Sequence, residues 1–111
     1  MKTTSTLYRG TMIFGEVVVT VDGNKLPLRL DLFNHSPTGF SYGYGGSGPA
    51  QLALAILADF LGDDARALVL YQPFKWKVIA QLKRDEPWTL TGAQVRDVID
   101  VLEDEMKGRT R

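Results

Sequence analysis

The chain has 111 residues, 44% hydrophobic and 23% charged, with thirteen Lys and Arg balancing thirteen Asp and Glu. That length fits a single domain over 1–111, and the balance leaves no net field to steer nucleic acid or an anionic membrane. The lack of cysteine removes disulfides, thiolate chemistry and cysteine-bound metals.

Thr6 to Arg9 and Thr11 to Phe14 are rich in β-branched and aromatic residues and read as a first strand, bent or bulged at Gly10. Val17, Val19 and Val21 then alternate with Val18 and Thr20, and Leu26, Leu28, Leu30 and Leu32 alternate with Pro27, Arg29 and Asp31. Period two on both sides of Asp22-Gly23-Asn24 predicts an antiparallel hairpin from Val17 to Leu32, with Pro27 at an edge. Asn34 to Gly39 is a turn by composition, and Phe40, Tyr42 and Tyr44 alternate as a last strand.

Gly39, Gly43, Gly45, Gly46 and Gly48, interleaved with Phe40, Tyr42 and Tyr44, form the most unusual stretch of the chain. Pro49 suits the first position of a helix capped by Gly48 or Ser47. Up to Leu61 only Gln51 and Asp59 are polar, which predicts a buried helix ended by Gly62. Asp63 and Asp64 are placed to cap a second helix through Tyr71, which Pro73 breaks or kinks. Phe74, Val78 and Leu82 continue a helical face, although Phe74 to Val78 also alternates like a strand; Ile79 and Ala80 favour helix. Thr91 and Gln94 have capping-box spacing, and Leu90 and Val95 have staple spacing. Val95, Val98, Ile99 and Leu102 follow as one apolar stripe, opposite the solvated Asp97, Asp100, Glu103, Asp104 and Glu105. Gly108 to Arg111 reads as a polar tail. The fold class is therefore α+β, a small antiparallel sheet of three to four strands in the N-terminal half packed by about three helices of the C-terminal half.

Few residues point to chemistry. The glycine loop entering a helix N-terminus is a candidate binding element through Tyr42, Tyr44, Gly45, Gly46, Ser47 and Gly48, with an anion or nucleotide phosphate as one ligand class. It lacks the Gly-Lys-Ser/Thr of a Walker loop and the third glycine of the dinucleotide fingerprint, and Pro49 removes one donor. A loop that simply lets the apolar helix approach the sheet is the plainer alternative. Lys75, Trp76, Lys77 and Arg84 form a candidate basic and aromatic patch, weighed against a plainer reading with Trp76 and Phe74 in the core and the lysines solvated. His35, the sole histidine, sits in turn chemistry without a nucleophile pattern beside it. Asp59, Asp63 and Asp64 are oxygen donors that capping and solubility explain more simply than a cation. No catalytic residue, metal site or cofactor is assigned.

Gly39-Phe40 followed by Gly43-Tyr44-Gly45-Gly46-Ser47-Gly48-Pro49-Ala50-Gln51-Leu52-Ala53-Leu54-Ala55 resembles the signature of an uncharacterised bacterial and phage family, defined only as a domain of unknown function. Tyr8-Arg9-Gly10, Val21-Asp22-Gly23, Tyr71, Phe74-Lys75 and Trp88-Thr89-Leu90-Thr91 match its spacing too, whereas Ser41 and Tyr42 stand where its members often carry an acidic residue and Trp. The resemblance implies a small accessory protein of phage or mobile elements. The expected function is non-enzymatic binding, in the manner of an anti-CRISPR or other anti-defence inhibitor acting on a host or phage protein complex in the cytoplasm. Nucleic acid is a less favoured partner, and no membrane association is expected. The alternative is an anion- or nucleotide-binding domain.

Overall fold

In the computed structural model, which describes residues 1–109, strand β1 (Leu7–Ile13) pairs antiparallel with both β2 (Glu16–Val21) and β4 (Trp88–Thr91). A two-residue strand, β3 (Asn24–Lys25), completes the order β3-β2-β1-β4. Three helices follow the strand pattern that the α+β reading requires: α1 (Ser47–Leu61), α2 (Asp64–Lys77) and α3 (Gly92–Arg109). The predicted class holds, with one addition: the fourth strand comes from 88–91, between α2 and α3, rather than from the first half of the chain. Those four residues are too short a run to declare a strand alone. They become one because β1 offers a partner, Leu7 opposite Thr91 and Gly10 opposite Trp88.

Several local expectations change. Gly10 makes no bulge; β1 is continuous, and the glycine leaves room for the Trp88 indole, whose ring a Cβ at position 10 would meet at 2.2 Å. The Asp22-Gly23 turn closes as expected, both residues with positive φ of 49° and 84°, as a two-residue hairpin turn needs. Its second arm ends at Lys25, however, so Leu26 to Leu32 is not a strand. Leu26 is buried and Leu28 and Leu32 pack on the core, but Leu30 is exposed and Pro27 cannot extend the ladder. Gln51 supplies the backbone partners instead: its Nε2 donates to the Leu28 and Phe33 carbonyls, and its Oε1 accepts from the His35 and Ser36 amides. Phe40 to Tyr44 is likewise not a strand; Gly43 at φ 84° breaks the alternation and its amide donates to the Ile79 carbonyl.

Helix α1 is buried along its length apart from Ser47 and Asp59. Its cap is Gly46, one residue before Ser47 and two before Gly48, and it ends at a left-handed Gly62 as expected. Pro49 therefore sits at the third helical position and not the first, still within the turn where a missing N–H costs nothing. Asp59 accepts a hydrogen bond from the Tyr8 hydroxyl, 2.7 Å, and lies 3.7 Å from Lys2, tying helix to sheet. Burial pushes the Tyr8 phenol far up from its usual pKa, and the Asp59 carboxylate adds to the shift. Asp63 caps α2 by accepting from the Arg66 amide. The helix then passes through Pro73 without ending and reaches Lys77, before a 3₁₀ turn over Ile79–Gln81. Both halves of the Thr91–Gln94 capping box are present, 2.9 and 3.1 Å, and Val95, Ile99 and Leu102 are buried. Glycine 108 and residue 109 belong to α3, so the tail reading fails there; 110–111 lie outside the described residues.

Candidate functional site

The glycine loop is stitched by its own carbonyls to the end of α2 and to the segment after the 3₁₀ turn. Arg84 donates through Nε to the Gly43 carbonyl, 3.2 Å, and Lys75 donates through Nζ to the Gly45 carbonyl, 3.2 Å. Each cation also sits against an aromatic ring. The Arg84 guanidinium is 4.8 Å from the Tyr44 ring centre, and the Lys75 ammonium is 4.4 Å from that of Trp76. Neither cation is ion-paired with a carboxylate among the described residues.

The glycines are occupied by these rings. A Cβ on Gly45 would meet the Trp76 indole at 2.1 Å, and one on Gly46 would meet the Tyr44 ring at 2.5 Å. Gly48 is buried against Ser41, while Ser47 is exposed. The loop therefore brings Tyr44, Gly45, Gly46, Lys75, Trp76 and Arg84 into one surface. Lys77 is turned away from it, 3.5 Å from Glu105 of α3.

Two expectations about side chains are corrected. Trp76 was expected in the core with Lys75 solvated; instead Trp76 is 57% exposed and Lys75 only 7% exposed, while Phe74 is fully buried. The reversal follows from helical geometry, which turns Phe74 inward and lays the long lysine stem along apolar surface toward the Gly45 carbonyl. As a recognition element the loop would show at least a ring edge of both candidate tyrosines, Tyr42 and Tyr44. Tyr44 does, at 40% exposed, but Tyr42 is buried, edge-on to Trp88 at 6.1 Å with its hydroxyl donating to the Glu86 carbonyl. Burial, with help from Asp85 and Glu86, raises the Tyr42 pKa. Tyr42 is a strut beneath the surface.

One neighbour escaped the sequence reading. Phe14 is fully exposed at the tip of the β1–β2 hairpin, in a turn where it and Gly15 have φ of 50° and 80°. A bulky aromatic rarely holds a left-handed backbone. Behind it, Met12, Gly15 and Val17 line a cleft of about 270 Å³ shared with Tyr44 and Arg84. The pair Phe14-Gly15 between two alternating runs was the available signal, obscured by reading position 14 as strand.

The remaining candidates are spent on structure. His35 Nε2 is 2.8 Å from the Tyr71 hydroxyl and its ring stacks on Phe33 at 4.2 Å. Burial, and secondarily the Lys75 charge, hold the His35 pKa below its ordinary value. Asp64 pairs with Arg29 at 2.9 Å, Asp63 is a cap and Asp59 holds Tyr8. Among the described residues no three His, Asp or Glu side chains are grouped to hold a metal ion, and no helix is long and apolar enough to cross a membrane.

Residues 8–101 match the model of a family of unknown function, DUF6166, and the chain belongs to that family. No curated protein and no solved structure matches it.

Proposed function

We propose that this family member is a non-enzymatic binding protein whose anchor is the surface formed by Tyr44, Trp76 and Arg84. One observation carries the reading: Trp76 is exposed while its chain neighbour Lys75 is buried. The indole surface left in water there gains by being covered, while the Lys75 ammonium is already bonded to the Gly45 carbonyl. Tyr, Trp and Arg are also the side chains that dominate protein–protein contacts, and here glycine backbone holds both rings in place before any partner arrives. The partner is a protein surface. In the phage or mobile-element setting implied by the signature, that partner is a host or phage complex and the outcome is inhibition of defence.

The test is affinity capture from bacterial lysate with the parent protein, Tyr44→Ala and Trp76→Ala, each also melted alone. Hot-spot truncations cost at least about 2 kcal/mol of binding, roughly thirtyfold. The captured species should therefore fall away in both variants while their melting temperatures stay near the parent's. Unchanged capture by both variants removes this surface from the function.

A second reading, anion or nucleotide binding, draws support from Lys75 and Arg84, which have no carboxylate partner among the described residues, beside an α1 N-terminus without a side-chain cap. It is weakened by the rings that fill the space at Gly45 and Gly46. A melting screen with nucleotides and inorganic phosphate decides it: ligand-dependent stabilisation lost in Lys75→Ala favours the anion.

A further inference from the structure

The β-sheet packs on one face. Tyr8, Val19, Val21 and Leu90 belong to the core, and the Tyr8 hydroxyl reaches Asp59 of α1 on that side. The alternate residues of the same strands form the other face, where Arg9, Ile13, Glu16, Lys25 and Thr89 are exposed. The ladder pairs set these residues in rows across the strands. Glu16 stands beside Ile13, Val18 beside Thr11, and Thr20 between Lys25 and Arg9, with Thr89 beyond. A shallow hollow of about 570 Å³ spans the middle of this face, from Val18 and Thr20 on β2 to Pro87–Thr89 at β4.

Two features here have no use within one chain. Arg9, Glu16 and Lys25 form no ion pair among the described residues. Phe14 is fully exposed with φ 50°, at a two-residue hairpin turn whose backbone favours Asn or Gly. One symmetry operation uses both. A two-fold axis along the Val18–Thr11 row, between two such faces, lays each strand over the same strand of a second copy, running the opposite way. The Glu16–Ile13 and Thr20–Arg9 rows stand two residues, about 7 Å, on either side of that axis, so they exchange places. Glu16 of each copy then comes opposite Thr20 of the other, between its Arg9 and Lys25. The hairpin tip with Phe14 comes over the far end of β1, where Leu7 is 36% exposed. Because β4 stops at Trp88 opposite Gly10, the lane beside Ile13 is empty, and Thr89 of the second copy comes over it.

We infer that this face is the interface of a homodimer, a second copy of the chain packed sheet on sheet about that two-fold axis. Stacked sheets lie about 10 Å apart, a gap that Glu16 and the long Arg9 and Lys25 side chains bridge from opposite sides. The zero net charge of the chain adds no overall repulsion between copies. The strands span roughly 300 Å² of sheet, less than the ~800 Å² that each partner of a standard complex buries, so the dimer is a weak, concentration-dependent one. The Tyr44–Trp76 surface takes no part in it.

Sedimentation equilibrium up to about millimolar protein should show a reversible dimer with a Kd on the order of 100 μM, weaker at high salt. Two variants, Glu16→Lys and the pair Arg9→Glu with Lys25→Glu, should each be monomeric alone. An equimolar mixture of the two should form a heterodimer, and the triple variant should associate as the parent does. All three positions are exposed, so the substitutions leave the core intact. Phe14→Asn gives the turn its preferred Asn-Gly pair. It should keep or raise the melting temperature of dilute protein while weakening association about tenfold. Amide shifts that move with concentration should fall on Thr11, Val18, Thr20 and Thr89. Trp76→Ala should associate as the parent does, which separates this face from the proposed anchor. A protein still monomeric at millimolar concentration overturns the inference. So does association that survives Glu16→Lys, or a concentration-dependent shift map centred on Tyr44 and Trp76.

Discussion

The Trp76 indole occupies the place where a side chain on Gly45 would stand, with the nearest ring carbon 2.1 Å from that position. Because Trp76 is exposed, the ring is free to swing into solvent rather than crush the loop. Gly45→Ala should therefore lower stability by less than about 1 kcal/mol, yet release the indole and weaken partner capture as Trp76→Ala does. Acrylamide quenching of tryptophan fluorescence, with Trp76→Phe as control, reports the freed ring. A well-protected indole in Gly45→Ala would contradict the arrangement.

Gly10 and Trp88 make the opposite case. Trp88 is buried, wedged against Gly10 and edge-on to Tyr42, and its indole N–H finds no acceptor among the described residues. With no room to swing, Gly10→Ala should cost about 1–3 kcal/mol by overpacking. Adding Trp88→Leu should make the second change cheaper than it is in the parent, a coupling that urea denaturation of the four proteins measures. Strict additivity would show that the two positions do not touch.

Gln51 holds the segment from Leu28 to Ser36 with four hydrogen bonds from the second turn of a buried helix. Gln51→Leu keeps the volume but strands those backbone groups. We expect a loss of about 2–4 kcal/mol, since each unsatisfied buried group costs about 1–3 kcal/mol and part of this segment reaches water. Hydrogen exchange should accelerate first at His35 and Ser36. Unchanged protection there would rule out the clamp.

His35 makes stability depend on pH. Its folded pKa lies below the unfolded value of about 6.5, so the unfolded chain binds the extra proton and unfolding is favoured as pH falls. The stability it contributes is complete above about pH 6.5 and is lost on acidification through the lowered folded value. His35→Gln should flatten the melting temperature between about pH 5.5 and 7.5, a window above most carboxylate titrations. Parallel pH profiles for both proteins would refute this.

Some of the fold could be read directly from the residues. Asp22-Gly23, Gly62, Asp63 and the Thr91–Gln94 pair each satisfy a local backbone need, and local needs are written locally. The apolar run of α1 likewise declares its own burial. What stayed hidden depends on distant partners: Leu26 to Leu32 alternates like a strand, but Gln51 claims its carbonyls. Trp88–Thr91 becomes a strand only beside β1. At the candidate site the residue types were visible and their exposure was not. The burial of Lys75 depends on a carbonyl thirty positions earlier, at Gly45, which accepts from its ammonium.

The pairing of β1 with β4 joins Leu7 to Thr91, and the Thr4 and Thr6 carbonyls accept from Ala93 and Gly92 at the start of α3. The β1–β2 hairpin can close within a short span as soon as it is made, but the last strand has to find the first across nearly the whole polypeptide. Loop-closure entropy grows only slowly with length, so the finished pairing loses little stability; the delay is in the rate. During synthesis the emerging chain therefore carries β1 with a bare edge until 88–91 leave the ribosome. Nascent chains stalled before residue 88 should be protease-sensitive at β1 and bind chaperones, and chains released after α3 should not.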